Sequence, residues 1–355
     1  MENIKMKKSI ELVQHDVKEL LQSNAKILHP LSHSTIVMTG GTGVLGAWIT
    51  EMINGLNTDH GFDIKLTVVS RDPERFHRQF PHFQKMQNIL YLKGDIRHLS
   101  ELSFETTHLI HAAALTDRNQ FSTNPTLVGE INAQGTMRIF RSAQLLPNIQ
   151  KILLLSSGLV YGTHPKTDKI SESYSGANDP FDFQSIYSES KRFSEAVAAA
   201  FIAEAKLPIV VLRPFAFVGP YQNLALPWAV TDFIRDAMTG GPIKIMGDGS
   251  TIRSIMYSAD FALWTLAALA NGRSRSVYNI GSPEAIDLLA LAELITQFFS
   301  PIPEIQTNVG QTEQAPSRLV PSVDKAIKEL GVQVFTDLFH AIHKTISWHK
   351  YRANE

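Results

Sequence analysis

Tyr187 and Lys191 lie four residues apart in a stretch that predicts a helix, so both side chains share one face. A phenol titrates near pH ~10 and is a poor base at neutral pH. A neighbouring ammonium favours the phenolate and lowers that value. Such a pair exchanges a proton with a hydroxyl or a carbonyl. Ser156 and Ser157 end the apolar run that starts at Ile152, the place where a parallel strand delivers side chains to a site. A third constellation is the sequence STIVMTGGTGVLG at 34–46, in which Gly40, Gly43 and Gly46 recur at every third position. An apolar strand, a glycine turn and an apolar helix (Val44, Leu45, Trp48, Ile49, Met52, Ile53) follow one another there. Such a turn lets backbone N–H groups approach a pyrophosphate at the positive end of the helix. A side chain at either of the first two glycines would hold the phosphates away, and the third lets helix pack closely on strand. Tyr187 and Lys191 would then act beside a nicotinamide dinucleotide, whose cationic ring further lowers the phenol as hydride moves.

The elements that must position these groups alternate. Strand-like runs at 36–39, 64–70, 88–92, 108–112, 151–156 and 208–213 are separated by helical patterns, the longest at 125–146 and 184–205. Such alternation predicts an α/β fold, a Rossmann-type doubly wound parallel sheet with ligands at the C-terminal ends of its strands. After Pro214 the pattern breaks into loops rich in Gly and Pro. We expect a helical extension at 1–31, a dinucleotide-binding domain at 32–213, and at 214–355 mainly a smaller substrate-binding lobe with some chain returning to the first. Ile10, Val13, Val17, Leu20 and Leu21 form one stripe of an amphipathic helix in the extension, suited to packing on the body or on a partner subunit. Lys5, Lys7 and Lys8 are followed by no apolar targeting segment, so a cytoplasmic enzyme is the expectation.

Composition narrows the function classes. The 355 residues carry a net charge of −1, which draws the chain neither to nucleic acid nor to an anionic membrane. No apolar run approaches the roughly 20 residues of a membrane span. With no cysteine there is no disulfide, thiolate chemistry or Cys-based zinc site. The 13 histidines show no H-E-x-x-H spacing, and no metal is expected.

The motifs S-S-x-x-V-Y-G at 156–162 and Y-x-x-x-K at 187–191, behind T-G-x-x-G-x-x-G at 39–46, resemble the extended branch of the short-chain dehydrogenase/reductase superfamily, the NAD(P)-dependent nucleotide-sugar epimerases and dehydratases. The resemblance implies that Ser157 hydrogen-bonds the reacting sugar oxygen, Tyr187 is the acid/base and Lys191 its activator. Further similarities cover most of the chain. Gly94-Asp95-Ile96 resembles the adenine-contacting segment, with Asp95 on the adenine amino group. His111-Ala112-Ala113-Ala114 resembles the loop that admits the nicotinamide half, His111 itself being structural. Asn132 matches a structural support, and Leu212-Arg213-Pro214-Phe215 with Gly219-Pro220 matches the strand and loop beside the nicotinamide. Gly247-Asp248-Gly249 with Arg253 and then Asp260 resembles a segment in which Arg253 binds the substrate diphosphate by its guanidinium fork. Tyr278-Asn279-Ile280-Gly281 follows as in the family, and Arg318 resembles a second diphosphate arginine.

The implied cofactor set is Gly40, Gly43, Val44, Leu45, Gly46, Ser70, Arg71, Asp95, Ile96, Ala112, Ala113, Ala114, Tyr187, Lys191 and Pro214. The cofactor is NAD or NADP: Ser70-Arg71 at the end of the second strand points toward a 2′-phosphate, whereas Asp72 could read the ribose of NAD. Two departures bear on chemistry. The family's dehydratases carry Asp-Glu after the catalytic hydroxyl and its decarboxylases keep a Glu nearby; here Gly158 and Leu159 stand there, which disfavours both. Ala216 replaces an Asn that helps hold the diphosphate, so substrate binding shifts to Arg253, Arg318 or the backbone near Asn223. The expected activity is epimerisation of a nucleoside-diphosphate sugar by transient oxidation, with NADPH-dependent ketosugar reduction as the alternative. The resemblance also implies a homodimer through the helices at 125–146 and 184–205.

Overall fold

The structure is a computed structural model that describes residues 2–99, 102–162, 167–176, 178–308 and 317–353. It opens with α1 (Glu2–Asn24) and a 3-10 segment (Ala25–Leu31). Next come β1 (Thr35–Thr39), α2 (Val44–His60), β2 (Lys65–Ser70), α3 (Pro73–Gln79), β3 (Ile89–Lys93) and β4 (His108–His111). A helical stretch comprises α4 (Arg118–Thr123), α5 (Pro125–Gly129), a π turn (Glu130–Gln134) and α6 (Gly135–Ala143). It leads to β5 (Lys151–Leu155), α7 (Ile186–Ala205) and β6 (Ile209–Pro214).

The remaining chain is more broken: β7 (Ala216–Val218), α8 (Ala229–Met238), β8 (Ile243–Ile245), β9 (Ile252–Arg253), β10 (Ile255–Tyr257) and α9 (Ser258–Asn271). It ends with β11 (Val277–Ile280), β12 (Ile286–Asp287), α10 (Leu288–Thr296), β13 (Ile305–Thr307), β14 (Arg318–Leu319), α11 (Asp324–Leu330) and α12 (Leu338–Arg352).

Seven strands form one parallel sheet in the order β11-β6-β5-β4-β1-β2-β3. The order reverses between β1 and β4, which opens a crevice at the strand C-termini. Central strands are buried on both faces, so their side chains are apolar without alternation, as in Ile152, Leu153 and Leu154. The sheet's seventh strand comes from beyond Pro214: β11 pairs residue by residue with β6, from Val277 opposite Val211 to Ile280 opposite Pro214. Three short sheets, β10-β7, β12-β9-β14 and β13-β8, carry the irregular part of the chain.

α1 packs on this chain's own body. Val13, Val17, Leu20 and Leu21 are buried, and α1 meets α2 and α12. Gly55 makes the approach to α2 possible, because a Cβ there would lie 2.8 Å from Val17 and 2.9 Å from Leu21. The buried Asp16 of α1 accepts hydrogen bonds from the Tyr257 hydroxyl and the Lys344 ammonium, each at 2.5 Å. Among the described residues no helix is long and apolar enough to cross a membrane.

Candidate active site

The glycine turn begins where β1 ends. Gly40 has φ of +74°, and a Cβ there would stand 2.6 Å from the Ala113 backbone nitrogen. No other residue type meets both conditions. Gly46 packs against Gly41, with only 2.3 Å from its virtual Cβ to the Gly41 Cα. Gly43 caps α2 in an extended conformation, and a Cβ there would lie 3.4 Å from the Gly40 carbonyl oxygen. The first amides of α2 have no intrahelical acceptor and point out of the helix start. They open on a cavity of about 550 Å³ at the C-terminal edge of the sheet. Gly40, Gly43, Val44, Leu45 and Gly46 form its floor; Ser70, Arg71, Asp95 and Ile96 line one end; Ala112, Ala113, Ala114 and Pro214 line the middle. This cradle, with Gly40 and Gly43 in its wall and the N-terminus of α2 behind them, fits a dinucleotide.

Several groups at that end already have partners. The Ser70 hydroxyl lies 2.8 Å from the Thr42 hydroxyl, and Asp72 caps α3 by accepting from the Arg75 amide at 2.9 Å. Arg71 is exposed. Arg97 grips the Asp95 carboxylate at 2.7 Å and holds its pKa down to about 2. Asp95 is the sole carboxylate among the described residues of the cavity wall.

β5 delivers Ser157 and α7 delivers Tyr187 and Lys191 to the same wall. Tyr187 is only 8% exposed, and Phe121 of α4 stacks on its ring at 4.8 Å and 13°. Burial pushes the Tyr187 phenol up to about 12, with a hydrogen bond to Ser157 opposing it. Among the protein's own groups burial is the largest influence on this phenol; the expected lowering also calls on the cationic ring of a bound nicotinamide. The Lys191 ammonium donates to the Leu155 carbonyl at 2.7 Å, and burial pulls it down to about 8 against the opposing charge of Glu195. His111 is structural: its ring bridges the Thr39 and Thr136 hydroxyls at 2.8 and 3.1 Å, and burial pushes it down to about 3. Asn132, in the π turn, ties the Leu115 amide to the Ser190 hydroxyl and so anchors the alanine loop to α7.

A polar network that the motifs did not disclose lies behind Ser157. Ser156 donates to Glu195 at 2.5 Å, and Arg213 binds the same carboxylate through Nε at 3.0 Å and Nη2 at 2.6 Å. Arg213 also reaches the Tyr161 hydroxyl, which donates to Asn279 of β11 at 2.7 Å. Glu195 could have been found from its place four residues after Lys191, on the same helix face.

At the far end, Ala216, Phe217, Leu226, Trp228 and Arg253 line the cavity. Ser317 holds the Arg253 Nη1 through its carbonyl at 3.1 Å. Asn223 and Arg318 are not on the described cavity wall. Asn223 is exposed and accepts from the Ala225 amide within a turn, and Arg318 donates to the Asp168 carbonyl at 2.9 Å.

Residues 36–281 match the model of the NAD dependent epimerase/dehydratase family. The chain belongs to this family. UDP-glucuronic acid decarboxylase 1 of Xenopus tropicalis is 26% identical over 354 residues, 97% of this chain and 81% of that protein. UDP-N-acetylglucosamine 4-epimerase from Methanobrevibacter ruminantium M1, solved with UDP-N-acetylmuramic acid, superposes with a TM-score of 0.77 at 20% identity over 90% of this chain and 99% of its own. UDP-glucuronic acid 4-epimerase from Bacillus cereus, solved with UDP-glucuronic acid and NAD, gives a TM-score of 0.77 at 20% identity over 89% and 99%. The seven-stranded parallel sheet of this chain is the fold it shares with these solved structures.

Proposed function

We propose that the chain is a nucleoside-diphosphate-sugar epimerase that oxidises a sugar carbon transiently and reduces it again from the other face. One observation carries this reading. Ser157, Tyr187 and Lys191 meet at the reacting corner, while Gly158 and Leu159 beside them offer no second acid or base. A bound NAD would supply the hydride acceptor and donor, and a positive ring beside the phenol. Ser157 orients the reacting hydroxyl, Tyr187 takes its proton as the carbon gives up hydride, and Tyr187 returns that proton to the ketone oxygen after the sugar has turned. Lys191, one turn along α7 from Tyr187 and held by the Leu155 carbonyl, is the cation assigned to favour the phenolate. Arg253 holds the diphosphate, so the sugar alone rotates. Nothing at Gly158 or Leu159 removes a proton for water loss, which disfavours a dehydratase.

A decarboxylase is the second reading, favoured by the relative that aligns with 97% of the chain. Oxidation of a uronic acid beside its carboxylate gives a β-keto acid, which loses carbon dioxide without a further acid or base. A one-way NADPH-dependent ketosugar reductase would use the same three side chains. Proton NMR of mixtures with UDP-glucose, UDP-N-acetylglucosamine, UDP-glucuronic acid and dTDP-glucose separates these readings. An epimer formed without net change in cofactor supports the proposal. A pentose nucleotide with released carbon dioxide replaces it by decarboxylation, and stoichiometric NADPH consumption with an added ketosugar replaces it by reduction.

We propose NAD as the resident cofactor, since Ser70 is engaged by Thr42 and leaves only the exposed Arg71 for a 2′-phosphate. Chromatography of the dinucleotide released on denaturation tests this; NADP there would reassign Arg71. We also propose a homodimer through α6 and α7, because Phe193 is 48% exposed on α7 beside the exposed Ala196 and Ala200.

A further inference from the structure

α4 brings a second cation to the substrate end. The Arg118 guanidinium stands 5.6 Å from the centroid of the Trp228 ring, and Trp228 is part of the cavity wall with Arg253. Arg118 is exposed and Arg253 is half-buried. Among the described residues neither has a carboxylate partner; Arg253 is held by main-chain carbonyls and the Ser317 hydroxyl. Burial, with a smaller contribution from the Arg118 charge, pulls Arg253 down to about 10. Like charges brought together in a cleft, with no acid between them, match an anion that carries two charges. One turn along α4, Phe121 stacks on Tyr187, so the short helix that carries Arg118 also covers the reacting phenol.

We propose that Arg118 is a substrate-binding residue which leaves the face of Trp228 to clamp, with Arg253, the diphosphate of the nucleotide substrate. The proposal rests on the nucleotide-sugar reading of the site. A ring face holds a cation less strongly than phosphate oxygens that accept charge-assisted hydrogen bonds, so the exchange is downhill. It adds a cation to the end of the cavity where Ala216 offers no polar side chain.

The test is calorimetry of UDP, dTDP, UDP-glucose and UDP-glucuronic acid with NAD-loaded wild type, Arg118→Gln and Arg118→Lys. The expected result is a loss of about tenfold or more in affinity for Arg118→Gln, partly restored in Arg118→Lys, with NAD affinity and melting temperature unchanged. Equal diphosphate affinity in wild type and Arg118→Gln overturns the proposal, as does failure of wild type to bind either nucleotide. A loss confined to UDP-glucuronic acid and absent for UDP and UDP-glucose also overturns it, because Arg118 would then read a sugar carboxylate. These are binding measurements, so they stand apart from epimerase turnover: diphosphate binding that needs Arg118 in a protein without epimerase activity would sink the activity and keep the clamp.

Discussion

Tyr187→Phe removes one oxygen from a ring that stays stacked on Phe121, so the variant should fold, bind NAD and lose about 10²–10⁴-fold in kcat. Retained turnover would dismiss Tyr187 as the acid/base. Lys191 gives a pH signature. Burial brings its ammonium down to about 8, so activity should fall on an alkaline limb centred near that value, and the limb should be missing from whatever activity Lys191→Met retains. Ser157, Tyr187, Lys191 and Arg253 were readable in the sequence because each sits in a short motif whose spacing fixes its face or strand end. Phe121, Glu195 and Arg118 were not, since their partners come from separate elements that only the fold brings together. Asn223 and Arg318 show the converse: the motif around each was visible, but a local turn and the Asp168 carbonyl take up their polar atoms.

Among the elements, the glycine turn was the most legible, because a strand, three spaced glycines and a helix are contiguous. Its packing partner was hidden. Gly46→Ala puts a methyl within 2.5 Å of the Gly41 carbonyl carbon and oxygen, so it should destabilise by about 1–3 kcal/mol and weaken NAD binding, read by melting with and without NAD. A helix over 125–146 was expected, and the observed one starts at Pro125 and ends at Ala143; its π turn was not readable. That turn places Asn132 where it can hold both Leu115 and Ser190, a long-range demand that no local propensity reports. α7 supplies a further test. Its inner face, with Val197 and Ala198, is buried, while Phe193 lies outside. Phe193→Glu should convert the proposed dimer into a monomer in light scattering; a wild type already monomeric would remove the dimer from the account.

Over the whole molecule, alternating patterns made the parallel sheet legible up to β6, and its completion by β11 was expected only as chain returning to the first lobe. Strand period cannot say which distant run fills a sheet edge. Buried Asp260 on α9 links the parts: its Oδ2 accepts from the Phe335 and Thr336 amides, at 3.1 and 2.8 Å, and among the described residues Oδ1 has no partner. Burial pushes its pKa up to about 7 from the ordinary 3.8. The folded chain thus keeps a proton that the unfolded chain releases. That contribution to stability is full below the unfolded value and is lost as pH rises through about 7. Asp260→Asn should flatten the fall in melting temperature between about pH 4 and pH 7; an unchanged slope would assign the dependence elsewhere. The bond from Asp16 of α1 to Lys344 of α12 carries a different consequence. Asp16 and Lys344 lie 328 positions apart, so although α2 can cover Val17 and Leu21 early, the face of α1 that meets α12 stays open until that distant helix is made. The edge beside β6 likewise waits for β11. A nascent chain of this protein therefore spends its elongation time with two sticky surfaces open, and it is on the ribosome, more than in the finished enzyme, that chaperone dependence should be sought.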